Sequence, residues 1–135
     1  MKRNVLLLLV IQFLAITSLH PQEIIRLGII GLDTSHSEAF IKLINGESPQ
    51  PDYTGFKIVA AYPYGSRTIE SSYSRIPQYT ETARKHGVSI TSSIAELLKE
   101  VDCVLLETND GTLHLEQAKE VINNGKPLFL SLIHI

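Results

Sequence analysis

Residues 24–40 read IIRLGIIGLDTSHSEAF, and the fold turns on them. Residues 24–30 are apolar apart from Arg26 and Gly28, and rich in isoleucine. A short β-branched run bounded by glycine predicts a buried strand of a parallel sheet. Gly31 ends that strand, and Asp33, Thr34 and Ser35 are all effective helix N-caps. Glu38 stands three residues after Ser35, which predicts a capping box. Ala39, Phe40, Leu43 and Ile44 then recur at helical spacing. Strand, tight glycine turn and helix start form the first half of a nucleotide-binding βαβ unit.

Backbone N–H groups at such a helix start, with the positive end of the helix dipole, favour an anion such as a pyrophosphate. The dinucleotide fingerprint is G-x-G-x-x-G, and only its first glycine is present, as Gly31. Asp33 takes the second glycine position and His36 the third. Asp33 brings a negative charge toward the phosphates. The bland alternative is a strand–helix corner that binds nothing, in which Asp33 only caps the helix. His36 is a fair ligand contact, but without a visible partner it is a poor proton-transfer group.

The rest of the chain extends the same pattern. At 135 residues there is room for one domain, 44% of the residues are hydrophobic and the net charge is −2. With no basic cluster, nucleic acid is not an expected partner. Cys103 is the only cysteine and lies in an apolar run, which reads as a small buried residue. Lys2 and Arg3 precede a hydrophobic stretch at 5–16 and then Thr17 and Ser18, the layout of a secretory signal peptide over residues 1–22. An exported protein with no membrane association after cleavage is the expectation.

A polar, proline-containing loop at 46–55 leads to a second strand, FKIVAAY, at 56–62. Residues 71–77 read as a surface segment. A helix at 79–86 is stopped by Gly87, a third strand follows at 88–90, and a helix at 94–100 is capped by Ser93 with Glu96. Then come a fourth strand at 102–107, a loop at 108–112, a helix at 113–123 closed by Gly125, and a fifth strand at 127–130. Alternating strands and helices predict an α/β fold: a Rossmann-type doubly wound parallel sheet, incomplete at the C-terminus. The end of the second strand, where a ribose-binding acid is usual, holds Tyr62 and Pro63, with Ser66 and Arg67 beyond. An arginine and a hydroxyl there suit a 2′-phosphate, and hence NADP; the alternative is a solvated loop arginine. Tyr53, Tyr62, Tyr64, Tyr73 and Tyr79 either line a sugar-sized pocket or pack loops. Glu107, Asp110, His114 and Glu116 match no metal-ligand spacing and read as solvated loop and helix-start residues.

The segments RLGIIG, IVAAY, SSIAELL, VDCVLLETND with a following histidine, and GKPLF together resemble the cofactor domain of the glucose–fructose oxidoreductase, inositol dehydrogenase and MocA family. The resemblance spans about residues 25–129. It implies NAD or NADP as cofactor and a sugar or polyol as substrate. The cofactor contacts it implies after the fourth strand are Thr108, Asn109 and His114. These join Gly31, Asp33, Thr34, Ser35 and His36 at the first turn, and Tyr62, Ser66 and Arg67 after the second strand. GLDTSH departs from the family's glycine-rich turn.

The family's lysine motif after the fifth strand, and its second, substrate-binding domain, are not in this sequence. No catalytic residue is therefore assigned, the chain alone is expected to be inactive, and homo-oligomers would form through that further domain. The terminal LSLIHI at 130–135 is what CTG TCT CTT ATA CAC ATC encodes, the end of a common transposase-based sequencing library. The expected layout is therefore a signal peptide at 1–22, a partial dinucleotide-binding domain at 23–129 and a non-native tail at 130–135. The fifth strand would then be an exposed, aggregation-prone edge. The expected function is the cofactor-binding domain of an NAD(P)-dependent sugar or polyol oxidoreductase. The alternative is a non-catalytic ligand-binding module that kept the fold and lost the cofactor.

Overall fold

A computed structural model describes residues 23–47 and 51–131. The expected signal peptide at 1–22 and His134 lie outside the described residues. Five parallel strands form one open sheet: β1 (Ile25–Ile30), β2 (Phe56–Tyr62), β3 (Ser89–Ile90), β4 (Cys103–Leu106) and β5 (Leu128–Leu130). Their spatial order is β3-β2-β1-β4-β5. The chain runs outward from β1 to β3, returns to pair β4 on the other side of β1, and ends at β5. The doubly wound expectation therefore holds. In such a sheet the ligand crevice opens at the carboxyl ends of the strands where the order reverses, here between β1 and β4.

Helices cover both faces. α1 (Ser35–Asn45) and α3 (Ile76–Lys85) lie on one side, with the short α2 (Glu70–Tyr73) before α3. α4 (Ile94–Glu100) and α5 (Gly111–Asn123) lie on the other. β1 shows why its sequence is apolar throughout. Leu27, Ile29 and Leu32 pack under α1 and α3, while Ile30 packs under α4 and α5. A strand buried on both faces has no polar side to alternate with. Gly28 is the contact point for α4, because a Cβ there would come within 2.7 Å of Leu97. The outer edge is more open, with Phe129 55% and Leu130 36% exposed on β5. Leu130 thus belongs to the strand, and the Ser131 N–H continues the ladder to the Leu106 carbonyl.

Three local expectations are corrected. The cap of α1 is Thr34, whose side chain accepts from the Ser37 N–H, so Ser35 and Glu38 form no capping box. Glu38 instead pairs with Lys42 at 2.9 Å. Residues 71–77 are not merely a surface segment: they include most of α2 and the start of α3, and Ser72 is fully buried. Pro77 sits in the first turn of α3, where its missing N–H costs no hydrogen bond. α5 begins at Gly111, two residues early, because Asp110 caps it through the Thr112 N–H. Among the described residues no helix is long and apolar enough to cross a membrane.

Candidate functional site

The first turn is built from a glycine that nothing can replace. Gly31 has φ +90°, and a Cβ there would meet the Thr108 backbone at 2.5 Å. Its N–H reaches the Tyr62 carbonyl at 2.9 Å, so the turn leaves β1 pressed between β2 and β4. That close approach carries Leu32 and Asp33 into the interior, both with no exposed surface.

Asp33 does not cap α1, contrary to the simpler expectation. Its carboxylate accepts the Ser66 N–H at 3.2 Å and the Asn109 N–H at 3.1 Å. It lies so close to Gly65 that no side chain would fit there. One buried carboxylate thereby joins the loops after β1, β2 and β4. The knot continues outward: the Ser66 hydroxyl donates to Asp110 at 2.9 Å, and the Asn109 amide donates to the Ser72 hydroxyl at 2.6 Å. Burial raises the Asp33 pKa, and the two backbone donors pull it part of the way back.

On the other side of β1 the crevice has a different chemistry. Glu107 follows β4 directly, with its N–H on the Ile30 carbonyl at 2.8 Å. The expectation of a solvated Glu107 is wrong: its side chain has no exposed surface. Neither carboxyl oxygen makes a well-formed hydrogen bond among the described residues, although the Ser131 hydroxyl lies beside it. Burial pushes its pKa up to about 7, and the nearby Ser131 hydroxyl offsets only part of that. His36, in the first turn of α1, has its Nδ1 4.0 Å from Oε2 of Glu107 and 3.4 Å from the Ser131 hydroxyl. His36 is half exposed and borders a cleft of about 300 Å³ walled by Ala39, Phe40, Leu43, Phe129 and Ser131. Phe40 and Phe129 meet edge to face in that wall, at 6.3 Å between ring centres.

At the end of β2 the tyrosines divide between the two expected roles. Tyr62 and Tyr64 stack at 5.8 Å and 9°, and the Arg67 guanidinium sits 4.9 Å over Tyr64. A cleft of about 460 Å³ opens there, bordered by both tyrosines, Ser66, Arg67, Tyr73, Thr91 and Ser92. Tyr79 is core and Tyr53 packs against it. Burial raises the pKa of Tyr62.

Of the remaining candidates, Thr108 and His114 are engaged inside the protein. Thr108 is buried, and His114, reaching back from α5, donates from Nε2 to the Thr108 carbonyl at 2.6 Å. Ser35 is exposed in the first turn of α1. Gly31, Asp33, Thr34, His36, Ser66, Thr108, Asn109 and His114 therefore gather at the carboxyl ends of β1, β2 and β4. Tyr62 and Arg67 border the neighbouring cleft. Glu107 is the residue whose importance the sequence reading missed. The available signal was an acid that continues an apolar strand run without a break.

No protein-family model and no curated protein matches the chain. Solved structures do match in fold. GenD2 from gentamicin A biosynthesis, solved in complex with NAD, is 16% identical with a TM-score of 0.57, covering 82% of this chain and 27% of that one. UDP-N-acetylglucosamine 3-dehydrogenase GnnA from Acidithiobacillus ferrooxidans is 17% identical with a TM-score of 0.54, covering 78% and 28%. An oxidoreductase from Bacillus cereus is 25% identical with a TM-score of 0.52, covering 78% and 26%. The chain thus spans between a quarter and a third of the length of these structures. The fold they share with it is a Rossmann-type α/β sheet.

Proposed function

We propose that this chain is the cofactor-binding part of an NAD(P)-dependent oxidoreductase of the glucose–fructose oxidoreductase, inositol dehydrogenase and MocA kind, acting on a sugar or polyol. The observation that carries this reading is the Gly31 turn, which feeds α1 at the switch point of a sheet ordered β3-β2-β1-β4-β5. The fit to a dinucleotide is good at the β2 end. There the Tyr62–Tyr64 stack offers a face to an aromatic base, and Ser66 and Arg67 offer a hydroxyl and a cation to a ribose phosphate. At the first turn, Gly31 supplies the close approach, and Thr34 opens the helix N-terminus toward an anion. Thr108, Asn109 and His114 close the floor. The cofactor supplies hydride transfer; the chain's part is to bind and orient it. Export through a signal peptide, and homo-oligomers of a longer parent, belong to the same proposal.

Asp33 favours a second reading. Its carboxylate takes the Ser66 and Asn109 N–H groups from the loops after β2 and β4, beside the start of α1, and holds Gly65 against the turn. A pyrophosphate entering there must displace that brace or accept it as a charged neighbour. A binding module for a ligand without phosphates keeps it intact. Calorimetric titration of NAD(H) and NADP(H) separates the two. Micromolar binding, tighter for NADP(H), is the expected result. No heat with any of the four, from folded protein, selects the binding module.

A further inference from the structure

The stacked pair Tyr62 and Tyr64 borders two clefts of opposite character. One, described above, has Arg67 at its rim. The other, of about 360 Å³, opens between the start of α4 and the flank of α5, where Glu116 and Glu120 stand one turn apart. No Lys, Arg or His borders it, and neither glutamate makes an ion pair among the described residues. We propose that this second cleft is a binding site for a small aliphatic primary ammonium, held by Glu116, Glu120 and the Gln117 amide oxygen against the tyrosine wall.

Two carboxylates on a helix do not make a site by themselves, and the decisive group is Gln117 beside them. Its side chain borders the cleft and is only 5% exposed. Its amide oxygen is buried and has no hydrogen-bond partner among the described residues. On α5 it stands four residues before the buried Val121, on the stripe turned to the core, where an apolar side chain is the ordinary occupant. A buried amide oxygen without a donor is costly, and native proteins rarely keep one without a use. The donor it lacks is one that a ligand in the cleft supplies.

The groups around the cleft select the ligand. Acceptors with no cation facing them call for a group that carries positive charge and only donates, which describes an ammonium. The electron-rich faces of Tyr62 and Tyr64 add to the attraction, and with Ile94 and Leu113 they cover an aliphatic body. Both carboxylates act on that wall: burial raises the Tyr62 pKa most, and Glu120 and Glu116 add to it in the same direction. The Gln117 oxygen needs an N–H, which a primary ammonium has and a quaternary one lacks. A phosphate is repelled by the same two charges, so the two clefts beside the tyrosines sort ligands by sign. None of this depends on the oxidoreductase reading.

Nuclear magnetic resonance of the full chain, titrated with butylamine at neutral pH, tests the site. The Tyr62 ring and Gln117 side-chain amide signals are expected to shift together and saturate, and added salt to weaken the binding. Butanol, the uncharged counterpart, is expected to leave them unmoved. Glu120→Gln should weaken butylamine about tenfold, and the more exposed Glu116→Gln about threefold. Gln117→Leu should weaken butylamine about fivefold and leave tetramethylammonium unaffected. No saturating shift in the unmodified chain overturns the proposal, whatever the variants do. Shifts that butanol reproduces, or that spread evenly over the acidic surface, overturn it as well. Equal loss of both cations in Gln117→Leu removes Gln117 from the site. Movement of these signals by NADP(H) with none from butylamine gives the cleft to the cofactor and sinks the ammonium site.

Discussion

Two buried carboxyls stand at the ends of adjacent strands, and they have opposite situations. Asp33, past β1, accepts two backbone N–H groups and joins three loops. Glu107, past β4, accepts no backbone N–H among the described residues and has only the Ser131 hydroxyl and His36 beside it. Both are dehydrated, and in both burial raises the pKa. What separates them is the supply of donors. A carboxylate given two N–H groups becomes a brace, whereas one denied them holds its proton to a higher pH. The same crevice thus has a braced side and a side poor in hydrogen-bond donors.

The largest effect is expected where the two sides meet. Gly31→Ala forces a side chain into a left-handed backbone and against Thr108, and should cost about 4 kcal/mol in denaturant unfolding. It would abolish the contrast by disordering both carboxyls at once. Asp33→Ala tests the brace alone. Two buried N–H groups lose their acceptor, and a loss of about 2–3 kcal/mol is expected. A loss under about 0.5 kcal/mol would mean that Asp33 braces nothing.

Glu107→Gln should do the reverse. In the folded state Glu107 holds its proton up to about 7, against an ordinary value of 4.5 when unfolded. Its contribution is therefore fully present below pH 4.5 and is lost as pH rises through about 7. The glutamine variant should match the parent near pH 4 and exceed it by about 2 kcal/mol at pH 8, after allowance for solvent reaching the cleft. Parallel stability–pH curves would refute the dehydrated carboxyl. The smallest effect on stability is expected for Arg67→Ala, within about 0.5 kcal/mol because the side chain is exposed. It should nonetheless weaken NADP(H) about tenfold relative to NAD(H), and equal weakening of both would remove Arg67 from phosphate recognition.

How far the site could be read from the chain differs residue by residue. Gly31 was legible because a strand ending in glycine before a cap residue has few other structures open to it. Ser93 was legible for the same local reason, and it caps α4 by accepting the Glu96 N–H. Ser35 was misread because Thr34 is as good a cap, and only the path of the turn chooses between them. Glu107 was misread because an acid next to a loop is normally solvated. Its surroundings include His36 from α1 and Ser131 beyond β5, neither of them a neighbour in the chain.

The sequence by itself determined the order of strands and helices, the doubly wound class and the glycine turn. These follow from periodicity and from the few conformations that glycine and cap residues favour, which are properties of neighbours in the chain. Only the tertiary structure decided which acids are buried, which backbone donors reach them, and that His36 stands before Glu107. Those depend on residues 33 to 76 positions apart in sequence meeting at one end of the sheet. Burial and donor supply, not residue type, set whether a carboxyl braces a fold or keeps its proton near neutrality.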